Sequence, residues 1–263
     1  MSNSIRKAYV DTRGGQIHAH MAGEGDTTVV FLQQTASSGR MFYKVMERLT
    51  DGRRMIALDT PGFGGSFDPE GMPSLPDYTG WIAEAVEGLG ATNVHLVGHH
   101  TGVCIAAELA VRHDWVASVA MMGPVVLTSD ERDKFRQHFG TPFAPTADGS
   151  YLLATWNYLA GLGANSDLEL HHREMVDTLR AYYGRFQAYS AVWDQDFAAL
   201  YQQIRQPIAI MCAPEDVLWP YFDRAKQVRP DARAYELRGA NFEPDQDVEG
   251  CVAALTSFWN AIN

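Results

Sequence analysis

Apolar and polar positions divide the chain into two alternating kinds of segment. Residues 28–33 (TVVFLQ), 54–58 (RMIAL), 94–97, 116–122 and 208–212 are short runs of consecutive, mostly apolar residues. Such runs predict strands buried on both faces of a parallel sheet. Between them, apolar residues recur at helical spacing. Phe42, Val45, Met46 and Leu49 mark one helix, and 81–89, 103–112, 221–228 and 248–262 mark others. Residues 234–237 add a strand. Ahead of these, 7–10 and 16–21 flank Thr12-Arg13-Gly14-Gly15, which predicts a β-hairpin with a glycine turn. Strands that alternate with helices predict an α/β fold: a doubly wound, mostly parallel sheet with helices on both faces.

The alternation stops near Leu127 and resumes at Ile208. The intervening segment shows no strand pattern and is rich in aromatics from Phe135 to Trp193. It predicts a helical cap, residues 128–200, inserted into a core made of 1–127 and 201–263. The cap would lie over the C-terminal edge of the sheet, where open parallel sheets bind ligands.

Composition narrows the partners. A net charge of −11 over 263 residues disfavours nucleic acid and anionic membrane surfaces and suits solubility. No stretch reaches the roughly 18 apolar residues of a membrane helix, and residues 1–7 lack the apolar run of a secretory signal. Cys104, Cys212 and Cys251 are odd in number, widely spaced and set among apolar neighbours, which predicts buried reduced thiols in a cytoplasmic protein. The expected partner is a small-molecule substrate, and the expected assembly is a monomer or homodimer.

The candidate chemistry lies in Val94-His95-Leu96-Val97-Gly98-His99-His100-Thr101-Gly102-Val103, a strand, a tight turn and a helix. It resembles the G-x-S-x-G nucleophile elbow of the α/β-hydrolase superfamily, with His100 in the serine's place. Other segments extend the resemblance in the right order. Residues 11–18 are similar to the family's first hairpin, and Asp59 to Ser66 to its D-x-P-G-x-G-x-S turn. Asp216 follows a strand where the family carries its triad acid, and Asn241 falls where it carries the triad histidine. The resemblance implies the α/β-hydrolase fold with an inserted cap.

Three departures break the family's pattern: His100 at the nucleophile, Asn241 at the triad histidine, and Gln33-Gln34 where His-Gly is usual. The serine–histidine–carboxylate mechanism therefore does not transfer. An imidazole at the elbow reaches farther than a serine, toward Asp216 and Asn241, which would orient it. The resemblance implies an oxyanion hole from the backbone N–H of Thr101 and that of Thr35 or Gln34. Gln33 and Gln34 are alternative ligands for a substrate carbonyl. Ser37, Ser38 and Thr101 are substitute hydroxyls, and Trp156, Tyr183, Trp193 and Trp219 are candidates to line an apolar pocket.

The remaining histidines read as structural. His99 is expected to pack in the core with a hydrogen bond. His18/His20 and His171/His172 suggest a metal, but the sequence places no carboxylate beside them, so the expectation is no metal and no cofactor. The first expectation for function is hydrolysis of an ester, lactone or C–C bond of a small apolar or aromatic carbonyl compound, with His100 as base or nucleophile. A non-hydrolytic lyase, dehydratase or cyclase is the second, and a silent ligand-binding protein the third.

Overall fold

A computed structural model describes residues 4–49, 52–139 and 143–262. Met1 to Asn3, part of the polar N-terminal segment, lie outside the described residues. Eight strands, β1 (Arg6–Thr12), β2 (Gly15–Ala22), β3 (Thr27–Leu32), β4 (Arg53–Leu58), β5 (Val94–His99), β6 (Val116–Met122), β7 (Ile208–Cys212) and β8 (Arg233–Glu236), build one sheet. Their order is β1-β2-β4-β3-β5-β6-β7-β8. The hairpin β1–β2 is antiparallel, β2 joins β4 antiparallel, and every later pairing is parallel.

The unalternated apolar runs are explained by packing on both sides. Val30 and Leu32 belong to one core with Ile82, Val86 and Val103. Their neighbours Val29 and Phe31 face the other, with Phe42, Leu255 and Trp259. Successive strand residues point to opposite faces, so a strand covered on both must be apolar throughout.

The helices are α1 (Tyr43–Met46), α2 (Leu75–Gly88), α3 (Thr101–Arg112), α4 (Ser129–Phe139), α5 (Ser150–Gly161), α6 (Leu168–Arg180), α7 (Tyr182–Asp194), α8 (Phe197–Gln203), α9 (Phe222–Val228), α10 (Glu243–Gln246) and α11 (Val248–Asn260). Two differ from expectation. The first was expected over 42–49 but is a single turn, because the chain tightens to shorter bonds, Arg48 N–H to Val45 O and Leu49 N–H to Met46 O. The second starts six residues before Trp81, at a start signal in its own sequence. The Asp77 carboxylate accepts from the Ser74 N–H at 2.9 Å, and Pro76 sits in the first turn.

Helices α4–α8 all fall between β6 and β7, with no strand among the described residues there. Side chains of α6 tie this segment to the core. Ser37 Oγ donates to Glu174 Oε1 (2.9 Å), Ser38 Oγ donates to Asp177 Oδ2 (2.7 Å), and Arg173 donates twice to the Asp245 carboxylate at 2.6 and 2.8 Å. Burial raises the Glu174 and Asp177 carboxyls. Cys104, Cys212 and Cys251 are buried and free. Among the described residues no helix is long and apolar enough to cross a membrane.

Candidate active site

Strand β5 ends at His99 and α3 begins at Thr101, so one residue makes the turn. His100 has φ 47° and ψ −106°, a conformation an L side chain adopts only when its surroundings impose it. They do so through close approach. A Cβ on Gly102 would stand 2.6 Å from the Leu32 carbonyl carbon, and one on Gly98 would stand 2.6 Å from Val103 N. The His100 N–H donates to Met122 O at 2.9 Å, and its carbonyl accepts from Val103 N–H at 2.8 Å. The side chain therefore leaves the sheet at its C-terminal edge. Room for an imidazole comes from Gly123, just past β6. It has φ +66°, and an added Cβ there would sit 2.6 Å from His100 Nε2.

The ring is held at one nitrogen and open at the other. Nε2 lies 2.7 Å from Asp216 Oδ2, while Asp216 Oδ1 accepts from Leu218 N–H at 2.6 Å. A carboxylate only accepts, so in the neutral ring Nε2 carries the proton and Nδ1 the lone pair. Nδ1 makes no hydrogen bond among the described residues, and the ring lines a cavity. His100 and Asp216 thus meet directly, across 116 positions of sequence.

Behind them lies a second pair. The His99 ring stacks on His100 with centroids 4.4 Å apart and planes at 7°. Its Nε2 is 2.7 Å from Glu243 Oε2, and both side chains are fully buried. Burial pushes His99 down, with the nearby His100 acting in the same direction. Burial pushes Glu243 well up, reinforced by Asp216 beside it. The His99 hydrogen bond was expected. Glu243 was not, because its partner lies 144 residues away.

The cavity is small, about 40 Å³, and partly open to solvent. Its floor is Gln34, Thr35, His100, Thr101 and Asn241, and its walls include Phe135 and Phe139 from α4, Tyr158 from α5, and Tyr189 and Trp193 from α7. The Thr35 and Thr101 hydroxyls bond to each other at 2.8 Å. Their backbone N–H groups make no hydrogen bond among the described residues.

Several expected site residues lie elsewhere. Gln33 turns away from the cavity. With its amide oriented to satisfy both neighbours, it donates to Leu58 O (2.7 Å) and accepts from Thr60 N–H (2.9 Å). Ser37 is taken up by Glu174. Trp156 stacks on His171 at 3.5 Å, Trp219 stacks on Phe222 at 5.4 Å, and Tyr183 is exposed. Asn241 lines the cavity but does not orient His100. Its main-chain carbonyl accepts from Gln34 Nε2 at 3.0 Å, and its side-chain amide makes no hydrogen bond among the described residues. The elbow imidazole is long enough to reach Asp216 without an intermediary.

The expectation that no carboxylate accompanies His18 and His20 is also corrected. Asp59 stands between them, 2.8 Å from His18 Nδ1 and 3.0 Å from His20 Nε2. All three are buried and have metal-ligand donor atoms within 4.8 Å of one another. Every one of those atoms is engaged. Gly39 and Gly65 N–H complete Asp59 at 2.7 and 2.8 Å, and Tyr43 OH bonds the remaining His20 nitrogen at 2.7 Å. The three side chains form a buried hydrogen-bonded cluster under the hairpin.

A sharp strand–turn–helix at the C-terminal edge, a carboxylate after β7 and a cavity under inserted helices define a class, and comparison with known proteins agrees. The family profile described as alpha/beta hydrolase fold matches residues 27–229, and the chain belongs to that family. Among curated relatives it is similar to the dihydrolipoyllysine-residue acetyltransferase component of the acetoin cleaving system of Cupriavidus necator. The two are 30% identical over 118 residues, covering 44% of this chain and 32% of that protein. It is also similar to 2-hydroxy-6-oxononadienedioate/2-hydroxy-6-oxononatrienedioate hydrolase from Pseudomonas sp, 29% identical over 114 residues, covering 41% of this chain and 40% of that one. The matched stretches thus span less than half of either relative. Among solved structures, the bromoperoxidase of Bacillus anthracis superposes with a TM-score of 0.82 at 18% identity, covering 97% of this chain and all of that one.

Proposed function

We propose that this chain hydrolyses a small apolar or aromatic carbonyl compound, an ester, lactone or activated C–C bond, with His100 as general base. The observation that carries the reading is the polarity of one ring. Nε2 is tied to the Asp216 carboxylate, Nδ1 makes no hydrogen bond among the described residues, and the ring lines an aromatic-walled cavity. Nδ1 takes a proton from water as its oxygen bonds to the carbonyl carbon, and Asp216 stabilises the imidazolium that results. The tetrahedral oxyanion falls to the N–H groups of Thr101 and Thr35, the former at a helix N-terminus. The imidazolium then returns the proton to the departing oxygen or carbon as the bond to it breaks. The wall aromatics suit an apolar or aromatic substituent. Similarity to a protein named as a hydrolase adds support.

The test is turnover of aryl esters, lactones and β-diketones in 18O-labelled water. One labelled oxygen in the acid product is expected, with loss of about 10²–10⁴-fold in rate for His100→Ala. Unlabelled product would assign lyase or cyclisation chemistry instead. Full activity in His100→Ala, or a stoichiometric phosphonate adduct on Thr101 or Ser37, would overturn the assignment to His100.

A further inference from the structure

The proposed chemistry uses His100 and Asp216 and leaves His99 and Glu243 without a part. The four side chains form a closed ring in which His99, Glu243 and Asp216 are buried and His100 is partly buried. His99 lies flat on His100, Glu243 bonds His99, and Glu243 stands against Asp216, with donor oxygens of the two within 4.8 Å. No lysine or arginine pairs with either carboxylate among the described residues. The other titratable groups facing Glu243 are the thiols of Cys212, from the end of β7, and Cys251, from α11. Burial pushes both thiols up, so neither brings charge.

Two ionised carboxylates in such an interior demand compensation, and the only cations within reach would be two imidazoliums. An imidazolium at His100 has no lone pair and is not a base. An imidazolium at His99 would carry a second N–H at Nδ1, which is buried with no hydrogen-bond partner among the described residues, so His99 stays neutral as well. One carboxyl must therefore stay neutral, and the hydrogen bonds single out which. Asp216 accepts from Leu218 N–H at 2.6 Å and from His100 at 2.7 Å. Glu243 faces His99 Nε2 at 2.7 Å, but its one backbone donor, Ala213 N–H, is long at 3.3 Å. The better-solvated charge sits on Asp216.

We propose that Glu243 is a positioning residue stored as a carboxylic acid beside the dyad, with neutral His99 as its partner, and that this arrangement keeps the His100 ring free to accept a proton. The inference takes its catalytic meaning from the hydrolase reading, but the protonation state it asserts is measurable whether or not any substrate is turned over. The raised Glu243 carboxyl and lowered His99 agree with it.

The experiment uses the full chain labelled with 13C at glutamate carboxyls and 15N at histidines. Its readouts are NMR titration and infrared difference spectra against Glu243→Gln, with His100→Ala to assign the ring. In the wild type one glutamate is expected to stay protonated at pH 7. Its carboxylic-acid carbonyl band is expected to vanish in Glu243→Gln, and the His100 midpoint to move by less than about half a pH unit. A wild type with every glutamate ionised at pH 7 overturns the proposal, and that readout needs no variant. So does a His100 midpoint lowered by about two pH units in Glu243→Gln, the shift expected when a full charge about 5 Å away is removed. Absence of turnover with the protonated glutamate present would instead sink the hydrolase reading alone.

Discussion

Gly123→Ala isolates the placement of the His100 ring from its chemistry. The new Cβ would lie 2.6 Å from Nε2 and closer still to Cδ2, with Leu218 Cδ1 at 3.2 Å on its other side. Carbon–nitrogen contacts settle near 3.4 Å, so the ring must retreat by at least about 0.8 Å. Its bond to Asp216 is 2.7 Å long. A shift of that size carries it to the limit of hydrogen bonding or spoils its angle. The backbone also resists, because φ is +66° and alanine there costs about 1 kcal/mol. The expected outcome is a folded protein, destabilised by about 1–2 kcal/mol, whose rate falls about 10²-fold, the usual effect of misplacing a reacting group by an ångström. Urea unfolding gives the first quantity, and turnover of the best ester or lactone gives the second. A folded Gly123→Ala that keeps the wild-type rate and the wild-type His100 titration would refute the claim that this contact sets the ring.

Asp216→Asn should lower the rate about 10²–10⁴-fold with little loss of stability, because an amide no longer stabilises the imidazolium; a steady-state pH profile reads the effect. Asp59→Asn should cost about 3–5 kcal/mol at pH 7 in urea unfolding, since it breaks a buried cluster. Burial opposes the Asp59 charge, but the bonds from His18 and His20 outweigh it and hold the carboxyl well below its usual range. Its contribution is therefore full above about pH 4 and lost as pH falls toward the folded value, so wild type and variant should converge in strong acid. Ser37→Ala should cost about 1 kcal/mol and leave kcat unchanged, because the hydroxyl serves Glu174 rather than the cavity. His100→Ser with Asn241→His should create esterase activity toward aryl acetates if the Thr101 and Thr35 amides form a working oxyanion hole.

What the sequence disclosed depended on whether a position is fixed locally. Gly98 and Gly102 bracket the elbow because only a missing Cβ lets β3, β5 and α3 approach, so the turn could be recognised from its spacing. Asp216 follows β7 by a short link, and its reach to His100 is set by neighbouring strands. The direction of a loop side chain has no such local signature. Gln33 and Gln34 are adjacent, yet one serves the backbone of Leu58 and Thr60 and the other lines the cavity. Trp156 and Trp193 have the same side chain on helices of one insertion, and only Trp193 faces the pocket. The pairs His99–Glu243, Ser37–Glu174 and Asp59 with its two histidines join residues 39 to 144 positions apart. Such pairs appear only once the sheet order is known.

The lining of the cavity draws on the loops that leave β3, β5, β6, β7 and β8, and the hydrogen bond from Gln34 to Asn241 closes a span of 207 residues. Until β8 docks, His100 has neither its opposite wall nor its buried neighbour Glu243. Contacts of such range form late, because the chain must first surrender the freedom of everything between them. Turnover is therefore a stringent reporter of completed assembly. During refolding it should return with the slowest phase, after helix content and most of the core have already been recovered.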